Sequence, residues 1–181
     1  MPVALSVSEP AAAVTPTGGR GGRTRLAPVG RVILAAASGY AITLAFPDTN
    51  LWPLAPLGVA GLALAILGVR ARWAFLLGLV AGLTYFAPVL SWSGTYVGSV
   101  PWLALATLEA LYVAVMCAVV AAVQRPLRRA GHCALAWALV PLGWVVGEWA
   151  RSTTPFGGFP WARLGHSQAD SPLVRVATLA G

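Results

Sequence analysis

The chain contains no lysine and little charge of any kind: twelve arginines and five carboxylates leave 9% charged residues and a net charge of +7. Soluble domains carry roughly 25% charged residues, so this is not a soluble globule. Cysteine is nearly absent too. Cys117 and Cys133 stand in neither a CxxC nor a Cys/His spacing, which excludes a disulfide framework and gives no metal site. Both are expected to act as small buried hydrophobes. The chain has no G-x-S-x-G, no Walker loop, no H-E-x-x-H and no close pair of carboxylates, so the soluble-enzyme templates are missing and no cofactor is implied. The arginines lie in short groups between apolar runs rather than along one polar face, which excludes nucleic acid as a partner.

What is present is apolar: 58% of the residues are hydrophobic, gathered in long runs. The useful count is therefore spans rather than domains. Residues 1–30, rich in Ala, Pro, Thr and Gly with Arg20, Arg23 and Arg25, show no apolar period and are expected to form a disordered basic cytoplasmic tail. A basic lead before an apolar run resembles a signal peptide, but four further hydrophobic runs favour a retained first helix. Residues 31–181 read as one multi-span domain. Its fold class is all-α integral membrane, with five transmembrane helices at about 31–46, 51–69, 73–92, 100–123 and 133–149 and the start of a sixth at 173–181. Gly78 and Gly82 form a GxxxG pair and Gly143 and Gly147 a second, spacings that permit close helix approach. Ser93 to Ser99 reads as a polar turn and Gln124 to His132 as a basic loop.

Arginine placement sets the expected orientation. Arg20, Arg23, Arg25 and Arg31 precede the first span, Arg70 and Arg72 follow the second, and Arg125, Arg128 and Arg129 follow the fourth. The loops after spans one and three contain none, so the positive-inside rule puts the N-terminus in the cytoplasm and residues 156–168 outside.

Those outer residues mix aromatic, glycine, proline and polar side chains more densely than any other run. Gly157, Gly158 and Pro160 prevent a helix from continuing, while Phe156, Phe159 and Trp161 supply apolar bodies beside Arg163, His166, Ser167 and Gln168. This suits an aromatic, Gly/Pro-containing loop at a membrane–water boundary, whether an ordinary interfacial turn or a site. Arg151, Phe159, Trp161, His166 and Gln168 are the candidate substrate or lipid contacts. Arg151 stands three residues after Glu148, so it forms either a local pair or a lipid-head-group contact. Glu109 lies inside the fourth span and must face the bundle interior or a hydrated cavity. It reads as a structural glutamate hydrogen-bonded to Tyr85 or Ser91, or as part of a proton relay that no acid or histidine in the other spans continues. A transporter-type module satisfies these features as well.

The residues also resemble a known family. Glu148-Trp149-x-Arg151, Gly158-Phe159-Pro160-Trp161, Leu164-Gly165-His166-Ser167-Gln168 and Pro172 resemble bacterial apolipoprotein N-acyltransferase, and Phe46-Pro47, Leu51-Trp52-Pro53, Gly78-Leu79 and Trp92 fall in the right order. The resemblance covers about 32–181, with His166 where the family more often has tyrosine. It implies a multi-pass enzyme of the bacterial cytoplasmic (inner) membrane, active in lipoprotein maturation. Such an enzyme moves an acyl chain from a phospholipid donor to the N-terminal diacylglyceryl-cysteine of a lipoprotein acceptor. The family mechanism is ping-pong, through a cysteine thioester in a nitrilase-like domain that follows the membrane spans. Neither Cys117 nor Cys133 matches that nucleophile, so no catalytic residue is carried over and the fragment is expected to be inactive alone. A membrane domain fused to a polyprenol-phosphate mannosyltransferase is the other expectation raised by the resemblance.

Overall fold

A computed structural model describes residues 27–176 and Leu179; the expected basic tail lies almost wholly outside the described residues. The described elements are all helices or 3-10 turns, joined by turns and loops; lipid demands this of spanning segments, because a helix satisfies its own backbone polar groups. In order the helices are α1 (Pro28–Thr43), α2 (Leu54–Ile66), α3 (Ala71–Val89), α4 (Ser91–Val97), α5 (Ser99–Arg129) and α6 (Cys133–Thr153), followed by 3-10 turns at His166–Gln168 and Pro172–Val176. Among them α3, α5 and α6 are long and apolar enough to cross a membrane, so the protein is multi-pass; α2 is apolar but shorter.

The helix limits correct the sequence reading for local reasons. Pro28 opens α1 earlier than expected, since its missing amide would be unpaired in a first turn anyway. Pro53 caps α2 and Gly68 turns the chain after it at φ 72°, which trims that helix at both ends. The stretch from Ser93 is not a turn but most of α4, separated from α5 by Gly98 at φ 88°. The expected loop after Val123 is helical to Arg129, because Gln, Arg and Leu are good helix formers. The last span is met only by the 3-10 turn at Pro172–Val176; apart from Leu179, the residues after it lie outside the described residues.

Helix packing follows membrane rules. Small residues face inward, among them Ala35, Ala81, Ala106, Ala110 and Ala114, while Ile33, Leu57, Val115, Val119 and Val145 face outward. Helix α3 lies between α1 and α5, α5 packs on α6, and α2 lies on α1 and reaches α6. Both glycine pairs sit at these contacts. A Cβ on Gly82 would stand 2.7 Å from the Ala110 Cα, and one on Gly143 2.7 Å from Val120 Cγ2.

Proline near the end of α3 leaves backbone carbonyls that other helices satisfy. Pro88 has no amide for the Thr84 carbonyl, and Thr43 Oγ1 of α1 donates to the carbonyls of Thr84 at 3.3 Å and Tyr85 at 3.0 Å. Trp102 Nε1 of α5 donates to the Ala87 carbonyl at 2.9 Å. At the opposite end, Arg31 of α1 donates to the carbonyls of Ala65 and Leu67, where α2 terminates. That contact puts the start of α1 beside the end of α2. With the chain reversals it gathers Arg31, Arg70, Arg72, Arg125, Arg128 and Arg129 at one end of the bundle, and residues 154–171 at the other.

Candidate functional site

The last turns of α6 and residues 154–171 make a cap on the end remote from the arginine cluster. Its centre is Arg151, which α6 places inside the bundle at 3% exposure. The guanidinium donates from Nη1 to Glu109 Oε2 of α5 at 3.0 Å, and it lies 5.2 Å above the Phe86 ring of α3. Its remaining donors hold the loop: Nη1 reaches the Phe159 carbonyl at 3.2 Å and the Trp161 carbonyl at 2.7 Å, and Nη2 the Ala162 carbonyl at 2.7 Å. Glu148 Oε1 is 3.9 Å from Nη2 and accepts the Leu164 amide at 2.7 Å. The three carbonyls that accept from the guanidinium all belong to the loop. The ion pair and hydrogen bonds offset the desolvation penalty of this buried cation, which an isolated one would carry in full.

Ala162 shows how firmly the loop is held. It adopts φ 54°, a left-handed conformation uncommon for a residue with a Cβ, and its carbonyl accepts both Arg151 and the Tyr85 hydroxyl, the latter at 2.6 Å. Gly158, at φ 76°, lies so close to the backbone of Ser152 and Thr153 that a Cβ would overlap it, which explains the glycine there. Two polar links then tie the cap to the turn after α1. Gln168 Nε2 donates to the Trp52 carbonyl at 3.2 Å, and Asn50 Nδ2 to Asp170 Oδ2 at 2.5 Å.

Above this base opens a cavity of about 600 Å³ lined by Tyr40, Asp48, Ser91, Trp92, Trp161 and His166, among others. Trp161 is half-exposed, and its ring lies 5.6 Å from that of Trp92 at 59°. Of the candidate contacts, Trp161 and His166 therefore share one cavity. Phe159 packs against the core and Gln168 faces Trp52, so neither lines it. Arg151 lies beneath, buried rather than open to a head group, and Glu109 is its nearer ionic partner than Glu148. That pairing also replaces the expected Tyr85 or Ser91 contact of Glu109; Tyr85 bonds to Ala162 instead. Phe156, at φ 53°, is fully exposed. Cys117 is buried against Gly78, but Cys133 is exposed at the start of α6, correcting the expectation for it. No cluster of metal-ligating side chains occurs among the described residues.

A sequence profile described as the Apolipoprotein N-acyltransferase N-terminal domain matches residues 38–181. Curated relatives named apolipoprotein N-acyltransferase agree with it. The protein of Geobacter metallireducens is 33% identical over 154 residues, covering 82% of this chain and 29% of its own. That of Vibrio vulnificus is 35% identical over 158 residues (83% and 31%), and that of Vibrio parahaemolyticus 32% over 157 (83% and 31%). The chain thus spans roughly three tenths of the length of these relatives.

Proposed function

From the chain's membership of the apolipoprotein N-acyltransferase family, whose N-terminal domain it carries, we propose that it is the membrane portion of an enzyme that acylates lipoproteins. In this reading the enzyme transfers an acyl chain from phospholipid to the N-terminal diacylglyceryl-cysteine, and the described bundle brings both lipids to chemistry performed by a later part of the protein. The match over residues 38–181 carries the reading. The geometry supports it: the cap that Arg151 holds presents Trp161 and His166 to a cavity at one membrane face, where two lipid-anchored substrates would arrive. No observation favours the transporter alternative. Its natural ion-coupling group, Glu109, is bonded to Arg151 and serves the cap.

Five crossings are part of the proposal. Helices α1 and α2 are short, but their flanking apolar residues extend them, and Arg31 joins their ends as a hairpin. The arginine cluster then lies in the cytoplasm of a bacterial inner membrane, and the cap outside. Cysteine labelling tests this. With the exposed Cys133 replaced by serine, Phe156→Cys in intact cells should react with a membrane-impermeant maleimide, while Arg128→Cys should not; the reverse pattern would overturn the orientation.

Activity is tested by acylation of a diacylglyceryl lipoprotein with three proteins: the 181-residue chain, the full-length protein, and full-length Trp161→Ala. Only the full-length proteins should acylate, and Trp161→Ala should be slower by about tenfold at unchanged membrane level, the order of effect that loss of a large interfacial aromatic produces. Acylation by the short chain, or none by the full-length protein, would refute the proposal.

A further inference from the structure

Four carboxylates fall within the described residues, and three have partners. Glu109 and Glu148 face Arg151, and Asp170 accepts from Asn50. Asp48 has no hydrogen bond or ion pair among the described residues, yet it lines the cavity between the turn after α1 and the cap. The turn that carries it is well defined: the Asn50 amide bonds the Phe46 carbonyl at 2.8 Å, and the Leu51 amide the Leu44 carbonyl at 3.0 Å. No arginine lines the cavity. Trp92 and Trp161 stand at an angle to each other, both half-open, and the hydroxyls of Tyr40, Thr49 and Ser91 at the same cavity make no other hydrogen bond among the described residues.

We propose that this cavity is a subsite for a primary ammonium group carried by a lipid. Each element matches one property of that ligand. The Asp48 carboxylate matches its charge, the two indole faces attract a cation through their ring quadrupoles, and the free hydroxyls accept its N–H bonds. A quaternary ammonium would satisfy the rings but leave the hydroxyls without donors, and an anionic head group would face Asp48. The choice of ligands rests on the proposed function, which supplies two sources of this chemistry: an amine-bearing phospholipid head group and the α-amino group of a diacylglyceryl-cysteinyl peptide.

Calorimetric titration of the full-length protein in detergent separates them. The probes are dihexanoyl phosphatidylethanolamine against dihexanoyl phosphatidylcholine, and a diacylglyceryl-cysteinyl peptide with free against acetylated N-terminus. At least one primary amine should bind about fivefold more tightly than its counterpart, the scale of a partly exposed ion pair with its hydrogen bonds, and whichever pair shows the preference identifies the source. Asp48→Asn should abolish that preference. The fold should survive, because asparagine tolerates the φ of 89° that Asp48 adopts. Trp92→Leu should reduce the preference as well. Equal affinities within both pairs, or a preference unchanged in Asp48→Asn, would overturn the subsite. Lipoprotein acylation by the same preparation distinguishes the two claims. Normal acylation without amine preference removes the subsite alone, and amine preference without acylation removes the function alone.

Discussion

Exchanging Arg151 for methionine is expected to destabilise the protein by about 3–5 kcal/mol, the cost of breaking a buried ion pair from one side. The change leaves Glu109 buried at 1% exposure without its cation, and it removes the donor shared by the carbonyls of Phe159, Trp161 and Ala162. Size is not the cause, since methionine keeps most of the apolar stem. Adding Glu109→Gln to Arg151→Met should restore part of the loss, because no unpaired charge then stays inside. Denaturant titration in detergent micelles, followed by tryptophan fluorescence, measures the parent and both variants. A single variant with the parent's midpoint would show that the pair does not hold the cap.

The second large effect concerns spacing between helices. A Cβ at Gly82 would meet Ala110 at 2.7 Å from Cα and 2.8 Å from Cβ, and one at Gly78 would meet the Ala114 Cα at 2.9 Å. The obstruction is mainly helix backbone, which cannot rotate aside. Gly82→Ala should therefore separate α3 from α5 and cost about 1–3 kcal/mol, the usual range for overpacking, despite alanine's better helix propensity. The double variant Gly78→Ala/Gly82→Ala should cost more. Gly165→Ala is the control, since a Cβ there meets nothing within 4 Å. Heat-induced loss of the monodisperse peak in size-exclusion chromatography reads the effect, and a midpoint for Gly82→Ala no lower than that of Gly165→Ala would contradict the close α3–α5 contact.

Local chemistry was legible in the sequence and partnership across distance was not. The glycine pairs could be read as close-packing positions because helical spacing alone puts Gly78 and Gly82 on one face. The cap could be recognised because Gly157, Gly158 and Pro160 forbid a continuing helix. The bond between Glu109 and Arg151 was hidden, since the two lie 42 residues apart and nothing in sequence spacing says which faces of α5 and α6 meet. A signal did exist: a carboxylate deep in a span requires compensation, and an arginine closing the next long helix is a natural source. The same limit hid Asp48, whose turn is tied to the cap by the contacts of Asn50 and Trp52. Helix ends were misread where polar or charged residues continue a helix past the apolar run, as they do from Gln124 to Arg129.

The unequal helices have a consequence for the lipid around the protein. Helix α5, with 31 residues, is ~46 Å long at ~1.5 Å per residue, whereas α2, with 13, is ~20 Å, against a hydrocarbon core of ~30 Å. On the five-span reading the bilayer meets a different thickness on each side of the bundle. Beside α2, where Leu57 and Leu64 face outward, the acyl chains must shorten to match, and hydrophobic mismatch of this kind costs fractions of a kcal/mol per Å. Beside α5 they need not. On that reading the lipid is thinned beside the short helices while the long α5 is accommodated by tilt, so the mismatch differs from one flank of the bundle to the other.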